Sequence, residues 1–201
     1  MKNEITGMKL RLIVMNFLQF AVWGAYLTSM GTYLFNIGLG AKIGLFYAMQ
    51  GIVSLFMPAI MGIIADRWVP AQKLYGFCHF MAAVFMVAAG WYGYVDGEAV
   101  NFGTLFTFYS LSVAFYMPTL ALTNSVAYTA LDKVKLDPVI AFPPIRIFGT
   151  IGFICSMLLT DILGFQNNYM QFSSCACFGV ILAGYAFTLP ECSVCRGGYR
   201  K

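Results

Sequence analysis

Residues 142–153 read Phe142-Pro-Pro-Ile-Arg146-Ile-Phe-Gly-Thr150-Ile-Gly-Phe153, and apolar residues continue to Leu159. A run of this kind is typical of a membrane-spanning helix, yet it carries an arginine. An arginine at the centre of a bilayer helix costs roughly 2.5–3.5 kcal/mol on insertion scales. Such a residue therefore either extends to the membrane surface or faces a polar cavity. The run by itself leaves both alternatives open.

The composition of the 201-residue chain indicates an integral membrane protein. Hydrophobic residues make up 60% of it and charged residues 10%, whereas a soluble domain carries about 25% charged residues. The charges lie between long apolar runs, so the net charge of +4 does not indicate nucleic-acid binding. The predicted partner is the lipid bilayer, and no nucleic acid is expected.

Six segments are long enough to cross a bilayer, which needs about 20 mostly apolar residues. They lie near 12–35, 43–65, 73–95, 101–129, 145–164 and 168–190. The first is too long for a signal-peptide core and carries polar residues, so we interpret it as an uncleaved helix. These segments predict an all-α domain of six transmembrane helices over residues 1–190, with a cytoplasmic tail over 191–201.

The basic residues predict the orientation, because short cytoplasmic loops are enriched in lysine and arginine. Of the 12 basic residues, only Lys42 falls on one side, together with Asp96, Glu98 and Asp161. The other eleven share the opposite side: Lys2, Lys9, Arg11, Arg67, Lys73, Lys133, Lys135, Arg146, Arg196, Arg200 and Lys201. Both termini are therefore expected to be cytoplasmic.

Neither an enzyme nor a metal protein is predicted. No nucleophile elbow, zinc-protease motif or phosphate-binding loop occurs, and one histidine leaves little for acid–base chemistry. Cys192 and Cys195 form a lone C-x-x-C in the tail, whereas zinc sites normally use four ligands. His79 lies in the apolar third segment, where a buried, hydrogen-bonded imidazole is expected. We predict no metal and no cofactor.

Polar and aromatic residues recur at helical spacing in several segments. One face of the first segment carries Gln19 and Trp23, the second segment carries Tyr47, and the fourth carries Tyr116. Arg146, Thr150 and Phe153 follow at i, i+4 and i+7 in the fifth. Polar faces can serve helix–helix packing, or together they can line a solute pathway of apolar walls with a few polar groups.

The loop after the second segment reads Gly62-Ile-Ile-Ala-Asp66-Arg67-Trp-Val-Pro-Ala-Gln-Lys73. It resembles the signature loop of the major facilitator superfamily, in which the aspartate lies near a helix N-terminus and a basic partner. Two positions differ from that pattern: Val69 replaces a glycine, and Lys73 is the single basic residue where the pattern has two. The resemblance implies that Asp66 and Arg67 gate the cytoplasmic side.

The chain as a whole resembles bacterial nucleoside–proton symporters of the NupG type. The resemblance extends from about residue 8 to Pro190, and residues 142–153 are its most specific part. It is carried by Asn16-Phe-Leu-Gln-Phe20 with Trp23-Gly24, Phe56-Met-Pro-Ala59, Ala65-Asp66, Tyr116-Met-Pro-Thr119 and Phe142-Pro-Pro-Ile-Arg-Ile-Phe-Gly-Thr-Ile-Gly-Phe153.

This resemblance implies which residues bind the solute. Arg146 and Thr150 would hydrogen-bond a nucleoside, while Phe153 would supply apolar contact or stacking. Gln19, Trp23, Tyr47 and Tyr116 are additional cavity-lining candidates that rest on the amphipathic pattern alone. The resemblance also implies protons as the coupling ion and the bacterial cytoplasmic (inner) membrane as the location of a multi-pass protein.

Members of this family have twelve helices in two six-helix halves that hold the solute between them. The chain corresponds to the first half, so the missing partner is a carboxyl-terminal six-helix half. We expect a truncated N-terminal half that is inactive by itself. Two alternatives stay open: a half-transporter that works as a homodimer, and a structural or regulatory membrane protein whose polar faces serve only packing.

Overall fold

The computed structural model describes residues 2–192 of the chain, and every regular element among them is helical. This confirms the all-α prediction for that part. The seven α-helices are α1 (Lys2–Gly24), α2 (Met30–Asn36), α3 (Ile43–Arg67), α4 (Ala71–Asp96), α5 (Phe102–Lys133), α6 (Pro138–Ile162) and α7 (Met170–Ala186). Short 3-10 turns occur at Gly40–Lys42, Gly97–Ala99 and Phe165–Asn167. The expected tail falls mostly on residues 193–201, which lie outside the described residues.

Five of the described helices are long and apolar enough to cross a bilayer: α1, α3, α4, α5 and α6. Helix α7 is apolar but has only 17 residues, about 25 Å of helix, against a hydrocarbon core of about 30 Å. The 3-10 turn before α7 and the turns after it lengthen this sixth segment. Six apolar segments therefore form the bundle, with α1 and α2 together making the first.

The first segment is not the single helix that we expected over 12–35, because its hydrogen-bond ladder is interrupted between Gly24 and Met30. Hydroxyl groups on neighbouring helices replace the lost bonds. Thr160 donates to the carbonyl of Ala25 at 3.1 Å, and Tyr47 donates to the carbonyl of Leu27 at 2.7 Å. An interruption at membrane depth is tolerated when neighbours satisfy the freed backbone groups in this way.

Helix α6 begins seven residues before the expected start at 145. Asp137 caps it by accepting a hydrogen bond from the Val139 N–H at 2.9 Å, and Pro138 occupies the first helical position, which suits proline. Pro143 and Pro144 leave two carbonyls in the first turn without their usual partners. Those carbonyls belong to exposed residues at the end of the helix, so the helix continues through the prolines.

Side-chain contacts define the two ends of the bundle. At one end, Tyr185 of α7 donates to the Arg11 carbonyl at 3.1 Å, and Lys133 of α5 donates to the carbonyl of Glu191. At the other end, Ser29 donates to the Gln171 side chain at 2.9 Å. The start of α1 and the ends of α5 and α7 therefore lie together, as an even number of crossings requires.

The cysteines of the described residues lie in helices, except Cys192. Its N–H donates to the side chain of Gln72 at 2.8 Å, and burial raises the pKa of its thiol. A thiol that stays protonated is a poor metal ligand and nucleophile. Cys195, its partner in the C-x-x-C, lies outside the described residues. Between residues 2 and 192, no cluster of three metal-binding side chains occurs.

Helices α1 and α6 pack against each other through small residues. A Cβ added at Gly152 would lie 2.1 Å from the carbonyl oxygen of Phe17, and one added at Gly24 would lie 2.4 Å from the carbonyl oxygen of Phe153. Both positions therefore exclude any side chain, so the two backbones touch. Small residues permit such close approach between membrane helices.

We predict that Gly152→Ala forces α1 and α6 apart and destabilises the domain by about 1–3 kcal/mol, the usual cost of overpacking. The measurement is thermal unfolding of the purified chain in detergent. Gly184→Ala is the matched control, because a Cβ there meets nothing within 4 Å on α7. An unfolding temperature for Gly152→Ala equal to that of Gly184→Ala would contradict the close contact.

Candidate solute-binding site

The guanidinium group of Arg146 lies on the ring of Phe20. Its central carbon is 3.8 Å from the ring centroid, a distance at which the positive charge is attracted to the aromatic face. Gly149 makes room for this contact, because an added Cβ would lie 2.6 Å from Phe20 Cδ2 and 2.7 Å from Arg146 Nη1. Arg146 is partly buried. The close packing of α1 and α6 therefore fixes where the charge lies.

A cavity of about 180 Å³ opens beside Arg146. Its walls come from α1, α5 and α6, and its lining residues are Phe20, Trp23, Leu120, Thr123, Asn124 and Arg146. Arg146 is the only charged residue in this lining. A guanidinium carries five N–H donors in one plane. Because Phe20 covers one face of that plane, the donors at its edge are free for an oxygen-rich, flat solute.

Aromatic rings continue the wall around Trp23. Its ring centroid is 6.2 Å from that of Tyr116 and 6.4 Å from that of Phe153, with the Phe153 ring almost perpendicular. Trp23 Nε1 donates to the side-chain oxygen of Gln50 at 3.1 Å, and Gln50 Nε2 donates to the Tyr109 hydroxyl at 2.7 Å. These bonds fix the indole ring, and such aromatic surfaces suit stacking with a planar ring.

The residues predicted on α6 occupy one face of that helix in different environments. Arg146 lines the cavity, whereas Phe153 is not part of the lining and contacts Trp23, which is. Thr150 is exposed between them and is not part of the cavity lining. Its hydroxyl can therefore reach a solute only if further protein encloses the space beside this face of α6. The assignment of these three residues to solute binding stays a prediction.

The weaker candidates divide into two groups. Trp23 lines the cavity, and Tyr116 is buried behind it with its hydroxyl donating to the Gln19 carbonyl at 2.7 Å. Gln19 is fully buried, and its side chain is bonded to α4 and α5 rather than facing the cavity. The hydroxyl of Tyr47 donates to the Leu27 carbonyl in the break between α1 and α2. Neither Gln19 nor Tyr47 belongs to the lining of this cavity, and their role in solute binding stays a prediction.

Asp66 and Arg67 lie in the last turn of α3 and are exposed. They form no ion pair with any residue that the structure describes. The carbonyl end of a helix disfavours a carboxylate, so α3 itself does not stabilise Asp66. The nearest helix N-terminus along the chain is that of α4 at Ala71. The gating role predicted for the pair is left untested by this arrangement.

The candidates named from the sequence leave out four lining residues: Phe20, Leu120, Thr123 and Asn124, although the helical pattern of the fourth segment places Asn124 close to the face of Tyr116. Leu120 and Asn124 lie one turn apart on α5, so helical spacing could have placed them together. Phe20 gives no such signal, because an apolar ring in an apolar helix looks like any other packing residue. Its contact with Arg146 depends on how α1 crosses α6, which the sequence does not state.

The acidic residues lie away from this cavity. All eight in the sequence fall at helix ends or in connections: Glu4, Asp66, Asp96, Glu98, Asp132, Asp137, Asp161 and Glu191. The cavity lining therefore contains no carboxylate to neutralise Arg146. Its hydrogen-bonding capacity comes from the guanidinium, the hydroxyl of Thr123 and the amide of Asn124. These groups can exchange hydrogen bonds with a polar solute.

A bundle of membrane-spanning helices with a polar, aromatic cavity at its face is the arrangement of a solute-transport domain. The sequence model of the family described as Nucleoside H+ symporter matches residues 6–198. The chain belongs to this family, as its resemblance to the NupG-type symporters predicted.

Curated relatives of the chain are nucleoside permeases. It is 40% identical to the xanthosine permease of Escherichia coli strain K12 over 187 residues, which cover 92% of the chain and 43% of that protein. It is 38% identical to the nucleoside permease NupG of the same strain over 193 residues, covering 94% of the chain and 44% of the permease. The chain thus spans less than half the length of these relatives.

The fold agrees with a solved structure of the family. A crystal structure of a mutant of the nucleoside transporter NupG superposes with a TM-score of 0.87 at 37% identity, covering 96% of the chain and 47% of that structure. The fold is therefore that of one six-helix half of a major facilitator transporter, as predicted. The chain is a multi-pass membrane protein.

We predict that Gln50→Leu destabilises the domain and alters the Trp23 environment, because it leaves the Trp23 N–H without a partner and removes the bond that the Tyr109 hydroxyl accepts. An unsatisfied buried group costs about 1–3 kcal/mol. Thermal unfolding and tryptophan fluorescence measure the effect. Ser54→Ala is the control, because it removes only a bond from Ser54 to the Gln50 carbonyl within α3. Equal unfolding temperatures for the two variants would refute the bridging role of Gln50.

Proposed function

We propose that the chain forms the N-terminal half of a proton-coupled nucleoside uptake transporter and is inactive without a second half. The main observation in support of this proposal is that Arg146 stacks on Phe20 at the edge of an aromatic, polar cavity. Membership of the nucleoside symporter family supports the substrate class. The fold supports the need for a second half, because two such six-helix halves hold the solute between them near the middle of the membrane.

Three residues of α6 would contact the nucleoside. Arg146 donates hydrogen bonds from the free edge of its guanidinium to ribose or base oxygens. The hydroxyl of Thr150 does the same from the next turn, and Phe153 packs against the base beside Trp23. The exposed position of Thr150 fits this role, because a second half that packs against this side of the domain would turn the exposed face of α6 into a cavity wall.

The proton-binding group would come from the second half. No carboxylate lies in the cavity lining, and all eight acidic residues of the sequence lie at helix ends or in connections. A carboxylate of the second half that faces Arg146 across the cavity would balance the arginine's charge. It would also be the group that takes up and releases the coupling proton. The end of the bundle that carries Arg11, Lys133 and Arg67 would face the cytoplasm of a bacterial inner membrane, as the distribution of basic residues favours.

We predict that the chain joined to the carboxyl-terminal half of Escherichia coli NupG takes up uridine in a pH-dependent manner. The Arg146→Ala variant of this fusion should lose uptake at least tenfold, since a charge-assisted hydrogen bond is worth about 1.5–3 kcal/mol. The measurement is radiolabelled uridine uptake in cells that lack their own nucleoside permeases. The 201-residue chain alone should give no uptake above background.

Arg11→Ala serves as the matched control, because it also removes an arginine, but one that bonds the Thr188 carbonyl and does not line the cavity. Its uptake should equal that of the parent fusion at the same expression level. Full uptake by the Arg146→Ala fusion would refute the site assignment. Uptake by the chain alone would overturn the requirement for a second half and favour a homodimer.

We also propose that Asp66 and Arg67 act in opening and closing the cytoplasmic side. Their exposure at the end of α3 leaves both charges available to a partner on another segment. Asp66→Asn in the fusion should therefore slow the maximal rate of uptake several-fold, with a KM that changes less than twofold. A rise in KM with an unchanged maximal rate would assign Asp66 to solute binding instead.

A further inference from the structure

A polar cluster lies buried behind the cavity and is centred on Gln19. The side-chain oxygen of Gln19 accepts hydrogen bonds from the Tyr75 hydroxyl and from His79 Nε2, each at 2.7 Å. The Thr123 hydroxyl lies 3.1 Å from the same oxygen and bonds the Thr119 carbonyl at 2.8 Å. The amide nitrogen of Gln19 donates to Thr119 Oγ1 at 2.9 Å. All five side chains are almost completely buried. The cluster joins α1, α4 and α5 by side-chain bonds alone.

The bonds of the cluster determine where the protons lie. Thr119 uses its own proton to bond the Tyr116 carbonyl at 2.5 Å, so its oxygen accepts from the Gln19 amide nitrogen. This fixes the orientation of the Gln19 amide and presents its oxygen to His79. An amide oxygen only accepts, so His79 Nε2 carries a proton. The other ring nitrogen, Nδ1, is buried without a hydrogen-bond partner, which suits a neutral ring more than a charged one.

Gln19 connects this cluster to both walls of the cavity. On α1, the next residue is Phe20, whose ring carries the Arg146 guanidinium. On α5, the Thr123 hydroxyl lies 3.1 Å from the Gln19 side-chain oxygen, and Thr123 lines the cavity next to Arg146. Tyr75 and His79 lie on α4, which contributes no residue to the cavity lining. Both bond Gln19, and His79 also lies against the ring of Tyr116, which contacts Trp23 of the lining.

Packing alone does not account for such a cluster. Buried polar groups must all be satisfied, and apolar residues of similar volume often stabilise a protein at least as well. What the polar cluster supplies is a fixed orientation, because each bond is directional. Loss of the His79 bond would let Gln19 turn, and the Phe20 ring beside it would lose its fixed position under Arg146.

We propose that Tyr75 and His79 are positioning residues of the nucleoside site, which act through Gln19 to hold Phe20 and Thr123 against the guanidinium of Arg146. This inference rests on the proposed function for its substrate. The geometric part stands separately: a neutral His79 with its proton on Nε2 keeps Arg146 over the Phe20 ring, whether or not a nucleoside is bound.

The chain itself provides the first test, because His79 is its only histidine and gives a single imidazole signal. Nitrogen NMR of the ¹⁵N-histidine-labelled chain in detergent should show a protonated Nε2 and an unprotonated Nδ1. Arginine N–H signals should show Arg146 shifted by the Phe20 ring current, with Phe20→Leu as the unshifted reference. The opposite tautomer, or an imidazolium at neutral pH, would overturn the proposal.

The variants of His79 separate positioning from simple stability. His79→Gln places an amide N–H at the same number of bonds from Cα as Nε2, so the Arg146 ring-current shift should be retained. His79→Leu has no donor, and His79→Asn places its donor at the Nδ1 position, so both should lose the shift. Ser29→Ala is the control, because it removes another buried bond of the first segment, to Gln171 at the far end of the bundle.

The shift should persist in Ser29→Ala even where unfolding temperatures match those of His79→Leu. A positioning role would be refuted if His79→Leu kept the Arg146 ring-current shift. It would also be refuted if both His79→Gln and Ser29→Ala lost that shift. In the fusion with the second half, His79→Leu and Tyr75→Phe should raise the KM for uridine roughly fivefold, the effect of one hydrogen bond, with the maximal rate unchanged. Failure of the parent fusion to transport would count against the proposed function alone, since the NMR result does not depend on it.

Discussion

Helices α1 and α6 approach so closely at Gly152 and Gly24 that a single added carbon would overlap a backbone carbonyl. This contact brings the Phe20 ring beneath Arg146 and Trp23 beside Phe153. An arginine in a membrane helix needs either water or a partner that tolerates its charge. Here an aromatic face supplies part of that partner, and the rest of the guanidinium is directed to a cavity. Without the close helix contact, neither the aromatic support nor the cavity wall would form.

The interruption of the first segment begins at the same contact. Where α1 passes α6 at Gly24, its hydrogen-bond ladder breaks, and Thr160 and Tyr47 satisfy the freed carbonyls. On its other side, α1 is held by Gln19, which bonds to α4 and α5. Helix α1 is therefore held by backbone contact on one side and by directional hydrogen bonds on the other. Together these restraints fix its position in the bundle. The cavity residues Phe20 and Trp23 lie between these two restraints.

The sequence predicted the class of fold because long apolar runs and sparse charge report directly on a bilayer environment. Helical spacing also placed Arg146, Thr150 and Phe153 on one face. It failed where backbone details depend on neighbours: the break after Gly24, and the helix start at Pro138, seven residues before the predicted start, where Asp137 caps the helix. Gln19 and Tyr47 were predicted as cavity-lining because a polar side chain gives the same pattern whether it faces a solute or a neighbouring helix.

The central claim is that the Arg146 face of α6 borders a solute cavity rather than lipid or packed protein. Accessibility of single cysteines in the fusion with a NupG second half, after replacement of the native cysteines, tests it most directly. A membrane-impermeant, water-soluble maleimide should label Thr150→Cys, and uridine should slow that labelling, while Ile151→Cys on the neighbouring face should stay unlabelled. Equal labelling of both positions, or labelling of Thr150→Cys that uridine leaves unchanged, would contradict the account.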